Sequence, residues 1–155
     1  MALNAYLTDV RGDQVGPVPG SVTQNGREGW IQVYGYSHPI GIQNFVGLRP
    51  HRPITITKPI DRATPLLATA WAMRDVLHDS VLRCFRPTPM GTEEEFFRIE
   101  LTDARVIEIR HELLNTRYPE NRPLVPREQV SFTYRSIQWT GFGASANDEW
   151  EHPRF

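Results

Sequence analysis

The sequence predicts a mainly β, barrel-like fold with one flanking α-helix at about residues 64–74. Two observations predict it. Apolar residues recur at period two in short runs closed by Gly, Pro, Asn and Asp, the pattern of half-buried strands. Only one segment, IDRATPLLATAWAMRD, spaces its apolar residues as a helix does.

NAYLTDV (4–10) reads as a short strand, followed by the Gly/Pro-rich loop RGDQVGPVPGSV. GWIQVYGYSHPI (29–40) puts Ile31, Val33 and Gly35 on one face, with Trp30, Gln32, Tyr34 and Tyr36 on the other. The irregular loop IQNFVGLRPHRP leads into PITITKPI (53–60), where Ile54 and Ile56 alternate with Thr55 and Thr57. In the helix, Thr64 is placed to N-cap and Pro65 fits the first helical position, where its missing N–H costs nothing. Leu66, Leu67, Ala70 and Trp71 line one face, so Trp71 is expected to be buried on the barrel wall.

VLHDSVLRCFR (76–86) alternates Val81, Arg83 and Phe85 with Leu82, Cys84 and Arg86, and PTPMGT is a turn. EEEFFRIELTDARVIEIRHELL (93–114) has the composition of a surface helix, yet its apolar residues scatter around a helical wheel. At period two, Phe97, Ile99 and Leu101 share a face opposite Arg98, Glu100 and Thr102, and Ile107 and Ile109 oppose Glu108 and Arg110. A hairpin turning at Thr102-Asp103-Ala104, with one apolar and one charged face, is the expectation; its turn type is open. Beyond the loop NTRYPENRPLVPRE, QVSFTYRSIQWTGF reads as the longest strand. Val130, Phe132 and Tyr134 share a face, but Ile137 and Trp139 have the opposite parity. A bulge near Arg135-Ser136 or burial on both faces accounts for that. The tail GASANDEWEHPRF is polar apart from Trp150 and Phe155. No repeat or low-complexity linker interrupts the chain, so a single domain spanning 1–155 is expected.

With 155 residues and 39% hydrophobic content, one core is within reach. The net charge of -1 offers no field for nucleic acid or an anionic membrane. Lys58 is the only lysine, so sixteen of the 17 basic residues are Arg. That bias suits charged interfaces, and a skewed genome composition explains it equally well. Cys84 is the single cysteine, so no intrachain disulfide forms. The N-terminus lacks a basic and an apolar signal region, and no apolar run reaches transmembrane length. Folding in the cytoplasm, with no membrane insertion and any export independent of a cleaved signal peptide, is expected.

No catalytic constellation emerges. His38, His51, His78, His111 and His152 form no metal-ligand spacing and read as structural. No nucleophile elbow is present, and Gly12, Gly16 and Gly20 match neither a dinucleotide fingerprint nor a phosphate loop. The Glu93-Glu94-Glu95 run reads as a solvated strand edge. No catalytic, metal or cofactor-binding residue is assigned, and no cofactor is expected. What remains is surface: Phe45, Val46 and Leu48, flanked by Arg49, His51 and Arg52, suit either a protein contact or a loop folded over its own barrel.

Taken in order, GSVTQNGREGWIQVYGYSHPI, TKPIDRATPLLATAWAM, FFRIELTDARVIEI and VSFTYRSIQWT resemble the Hcp family, the tube protein of bacterial type VI secretion. The most specific pieces are GREG before a strand, K-x-I-D-x-x-(S/T)-P-L-L at Lys58, Ile60, Asp61, Thr64, Pro65, Leu66 and Leu67, and (S/T)-(F/Y)-x-Y-x-x-I-x-W-T, matched by Phe132, Tyr134, Ile137, Trp139 and Thr140. Two departures stand out: the 41–53 loop looks short, and the helix exit MRDVLHD lacks the glycine often found there.

The resemblance implies a β-barrel of two packed antiparallel sheets with one flanking α-helix. It also implies a structural, non-enzymatic role: homo-hexameric rings stacked into a hollow tube within a contractile sheath and baseplate. The spike protein VgrG caps such a tube, small effectors ride in the lumen, and the assembly is secreted. With little chain beyond Trp150, no fused toxin domain is expected. Gln43, Asn44, Phe45, Val46, Leu48, Arg49 and Arg52 then become candidates for a subunit or ring-stacking interface. Arg98, Glu100, Glu108 and Arg110 become a charged face toward either the lumen or the outer wall, paired across the strands of the hairpin. A tail tube protein of a phage or related contractile device would share this architecture. A small-ligand-binding β-barrel or unrecognised hydrolase would instead need a deep pocket with convergent polar groups.

Overall fold

The computed structural model describes residues 3–41 and 50–150. The strands are β1 (Asn4–Thr8), β2 (Arg11–Gly12), β3 (Gly16–Pro17), β4 (Ile31–Val33), β5 (Gly35–Ser37) and β6 (Ile54–Pro59), followed by the helix α1 (Ala63–Ala72). Then come β7 (Leu77–Pro87), β8 (Glu93–Glu112), a 3₁₀ turn at Pro119–Asn121, β9 (Arg127–Thr133), β10 (Ser136–Gly141) and β11 (Ala144–Glu149). The fold is mainly β with one flanking helix, and its strands pair antiparallel throughout the described residues.

The segment 93–114 corrects the predicted hairpin. β8 is one strand of 20 residues, not two. Its first half lies between β7 and β10, with Ile99 opposite both Leu82 and Trp139. Its second half pairs with β9, placing Ile109 opposite Val130. Asp103, at φ 50, bends the strand where a hairpin turn was expected. The inward parity switches there, from Ile99 and Leu101 to Ala104 and Val106. A tight turn and a sheet corner leave the same mark in a sequence: a parity change at a residue tolerant of positive φ. Only the pairing partners distinguish them.

β9 and β10 turn the same corner alongside β8. The break at 134–135 accounts for the opposite parities of Tyr134 and Ile137, both fully buried. Arg135 donates its N–H to Thr102 O at 2.9 Å and its Nε to Asp103 Oδ2 at 2.8 Å, fastening the two bends together. The corner separates two packed layers. One holds β7, β1, β4, β10 and β11 with the first half of β8; the other holds the second half of β8 with β9, β6 and β5. Tyr34 alone separates β4 from β5, and its N–H donates to Thr57 O at 2.7 Å, so the segment 31–37 passes from one layer to the other. The sheet is not closed by continuous pairing at that point.

The helix begins earlier than predicted, and its cap differs. Arg62 is the N-cap and makes no side-chain cap bond. Asp61 and Thr64 fasten the entrance instead: Ala63 N–H donates to Asp61 Oδ1 at 2.9 Å, and Asp61 N–H to Thr64 Oγ1 at 3.0 Å. The buried stripe is Ala63, Leu67 and Ala70, with Leu66 partly covered. Trp71 lies beyond the edge of that stripe and is 54% exposed, against the expectation that it is buried. Small residues at Ala63 and Ala70 let the helix sit close, which leaves no room beneath it for an indole. The missing exit glycine is replaced by Arg74 at φ 52, with Asp75 N–H reaching Ala70 O at 2.9 Å in a Schellman closure. The buried Asp75 carboxylate then accepts the Gln14 and Val15 N–H groups at 2.9 and 2.8 Å. Gly12 makes this approach possible, since a Cβ there would lie 2.2 Å from Asp75 Oδ2.

The tail, read from the sequence simply as polar, contains a strand: Ala144–Glu149 forms β11, exposed along its length and, among the described residues, paired only with β10. Its only apolar residues are the small, exposed Ala144 and Ala146, so periodicity gave too weak a signal to reveal it.

Candidate functional site

Two buried polar clusters and three surface features are the places where this chain could act. The first cluster lies under the helix entrance. β6 alternates, so Lys58 points inward with Ile54 and Ile56 and is fully buried. Its ammonium donates to Asp61 Oδ1 at 2.8 Å, Pro59 O at 2.9 Å, Thr64 Oγ1 at 3.3 Å and Glu128 Oε1. Thr64 Oγ1 donates to Glu128 Oε1 at 2.8 Å. Glu128 is also fully buried, and the imidazole of His111, itself half exposed, lies 3.0 Å from its second oxygen. The Lys-x-x-Asp-x-x-Thr spacing noted in the sequence is thus a structural knot that ties β6, the helix entrance and β9 together.

The second cluster centres on the buried Tyr134 phenol. His38 Nε2 lies 2.8 Å from its oxygen and His51 Nδ1 lies 2.9 Å from it, while Asp148 Oδ2 is 3.1 Å from His51 Nε2. Trp139 stacks near His38 and Trp150 near His51, with ring centroids 6.2 and 6.0 Å apart. Burial pushes the Tyr134 hydroxyl far above the ordinary phenol range, with the Asp148 charge adding to it, so it stays a phenol. A cleft of about 400 Å³ opens beside this cluster, lined by Ile40, Gly41, Pro50, Trp139 and Asn147 along with His51 and Asp148.

On the surface, the four predicted charges all lie on β8 but do not pair across strands. Arg98 sits 3.9 Å from Glu100, and Arg110 sits 3.8 Å from Glu108, each contact within one strand. The bend at Asp103 separates the two pairs, so they do not form one hairpin face. Arg98 also binds Glu95, which Arg83 binds from β7 at 3.0 Å. The Glu93–Glu95 run is likewise not a bare solvated edge. Glu93 pairs with Arg27 at 2.7 Å and Glu94 with Arg86 at 2.7 Å. Arg27, from the GREG turn, lies with its guanidinium 4.0 Å from the Phe85 ring centroid and 4.9 Å from that of Tyr6.

Of the proposed interface loop, Gln43, Asn44, Phe45, Val46, Leu48 and Arg49 lie outside the described residues. Arg52 is exposed, and its carbonyl oxygen lies 3.4 Å from the Tyr134 hydroxyl. The sequence reading missed a third surface feature. Phe142 is 76% exposed at the β10–β11 turn, at φ 52, a conformation unusual for a bulky side chain. Phe96 packs beside it at 6.2 Å, and Arg86 lies 5.3 Å from its ring. The Phe142-Gly143 pair, both at positive φ, is the sequence signal of this tight turn.

The buried Cys84 thiol is pushed up to about 11 by desolvation, with Glu95 adding to it, and is no nucleophile at neutral pH. Among the described residues, no three His, Cys, Asp or Glu side chains converge as a metal site requires, and no helix is long and apolar enough to cross a membrane.

Comparison with known proteins places this architecture. A family model described as "Type VI secretion system effector, Hcp" matches residues 7–140. The "Major exported protein" of Pseudomonas aeruginosa is 33% identical over 142 residues, covering 86% of this chain and 83% of that protein. The crystal structure of an Hcp protein superposes with a TM-score of 0.90 at 24% identity, covering 98% of this chain and 100% of the other. The secreted protein Hcp3 from Pseudomonas aeruginosa superposes with a TM-score of 0.81 at 28% identity, covering 97% and 100%. This chain belongs to the Hcp family of type VI secretion proteins.

Proposed function

We propose that the chain is a structural subunit of a type VI secretion tube rather than an enzyme. In this reading six copies close into a ring, and rings stack into a hollow tube that a contractile sheath drives outward behind a VgrG spike. Small effectors ride inside, and the tube leaves the cell with them, so no cleaved signal peptide is required. The observation that carries the reading is family membership across residues 7–140. The exposed edge strand β11 is consistent with it, because a ring of identical subunits buries such edges against neighbours. The loop from Gln43 to Arg52 is assigned to contact between subunits or rings. Arg98, Glu100, Glu108 and Arg110 are assigned to a wall of mixed sign, which holds water without gripping one class of charged passenger.

Light scattering and negative-stain imaging test the assembly. Rings of six with a central hole are expected at tens of micromolar protein, and weak stacking between rings is compatible with them. A strictly monomeric species at that concentration across a range of salt overturns the reading.

A further inference from the structure

We propose that His38, Tyr134 and His51 form a proton-operated latch, which holds the chain on both sides of the 42–49 segment against the barrel and lets go on mild acidification. His38 comes just before that segment and His51 just after it. Both imidazoles meet on one phenol oxygen, at 2.8 and 2.9 Å, at the break between β9 and β10. Two loop ends, distant in sequence from the barrel corner, are thereby tied to a single atom.

The hydrogen-bond accounting limits the protons. Asp148 accepts from His51 Nε2, so that nitrogen carries a hydrogen. The phenol has one proton to donate, so it satisfies one of the two imidazole nitrogens on its oxygen and accepts from the other. With His38 neutral, these contacts are matched.

An added proton on His38 upsets the match. The groups facing the cluster are His38, His51, Tyr134, Asp148 and the Arg52 carbonyl, and its one carboxylate, Asp148, is bound to His51 rather than to His38. The new charge also stands across a single oxygen from the other imidazole. His38 accordingly titrates below the ordinary 6.5 of histidine: burial lowers it most, a hydrogen bond to the Arg52 backbone works against that, and His51 lowers it further. A histidine depressed by folding keeps its contribution above the unfolded value and loses it as pH falls toward the folded value. The latch is therefore closed at neutral pH and loosens as pH falls below the ordinary histidine value.

The latch does not depend on ring assembly, because all its groups lie in one chain. Hydrogen exchange of the intact protein at pH values from about 7.5 to 4.5, corrected for intrinsic exchange rates, reads it directly. Protection at 37–41 and 50–53 should drop at least tenfold toward the acid end of that range, while β6 and β9 keep theirs. His38→Gln retains a donor without a titrating group and should remove the pH step, whereas His78→Gln should leave it. Histidine ring resonances provide a reading on the unmutated chain, where the His38 midpoint is expected below that of free histidine. A pH-independent exchange pattern overturns the proposal, as does a step that survives in His38→Gln or a His38 midpoint at or above the free value. The same measurements on a monomeric preparation separate failure of the latch from failure of the tube reading.

Discussion

The two buried polar clusters solve one problem in opposite ways. Beneath the helix, a fully buried ammonium is matched against two carboxylates, Asp61 and Glu128. At the sheet corner, a phenol is matched against two imidazoles, and the one carboxylate bound there among the described residues, Asp148, sits at the rim with its side chain 64% exposed. Charge in a dry interior is costly unless paired, so the ammonium holds the first cluster to one geometry, although Asp61 Oδ2 and Glu128 Oε2 are left without hydrogen-bond partners. The second is matched by hydrogen bonds alone and can be rewired by a single proton. The difference teaches that burial by itself does not make a polar site rigid. What counts is whether its partners can change charge near physiological pH.

Removing the ammonium breaks the comparison most severely. Lys58→Met leaves two carboxylates buried without their cation and should cost about 3–5 kcal/mol of stability. Denaturant unfolding at neutral pH measures the loss. The double variant Lys58→Met with Glu128→Leu should recover a large part of it, because the burden is unpaired charge rather than lost volume. A single variant within about 0.5 kcal/mol of the parent would mean that water or rearrangement already compensates the charges.

The clusters also differ in how legible they were. Lys58, Asp61 and Thr64 are three apart in sequence, so their motif stood out before its geometry was known. Glu128, 70 residues away, escaped notice because it sits in an alternating strand whose other inward residues are apolar. Residues 38, 51, 134 and 148 share no spacing, and only the break at 134–135 brings them together. The parity change beside Tyr134 was read as a bulge or as burial on both faces, but its partners could not be seen. The strand at 93–112 shows the same limit: inward and outward residues were largely correct, while the hairpin was wrong because pairing is a long-range property. Trp71 failed for a different reason. A wide apolar stripe does not reveal which edge of it faces the sheet.

Removing the phenol hydroxyl probes the neutral cluster with a smaller effect. Tyr134→Phe keeps the ring but strands the two imidazole nitrogens that met on its hydroxyl, which should cost about 1–3 kcal/mol at pH 7.5. The loss should shrink as pH is lowered to about 5, the direction in which His38 gives up the bond. The Lys58→Met deficit has no such dependence on His38. Stability measured for both variants at the two pH values separates them, and equal shrinkage in both would erase the distinction drawn between the clusters.

The smallest effect is expected where the charged knot touches solvent. His111 faces Glu128 Oε2 at 3.0 Å, but its side chain is 56% exposed, so water screens the contact and can replace it. Lys58 Nζ and Thr64 Oγ1 both bind the other oxygen, Oε1, and the carboxylate keeps its main partners when the imidazole is lost. His111→Gln should therefore lower stability by at most about 1 kcal/mol at neutral pH. Its amide keeps a polar group beside Oε2, which has no hydrogen-bond partner in the parent, whereas His111→Ala does not and should fall slightly lower. Unfolding free energies of the pair rank the two contributions. If His111→Gln proved as damaging as Lys58→Met, the second oxygen of Glu128 would depend on the imidazole as its counterion, and the knot would be pH-sensitive as the Tyr134 cluster is.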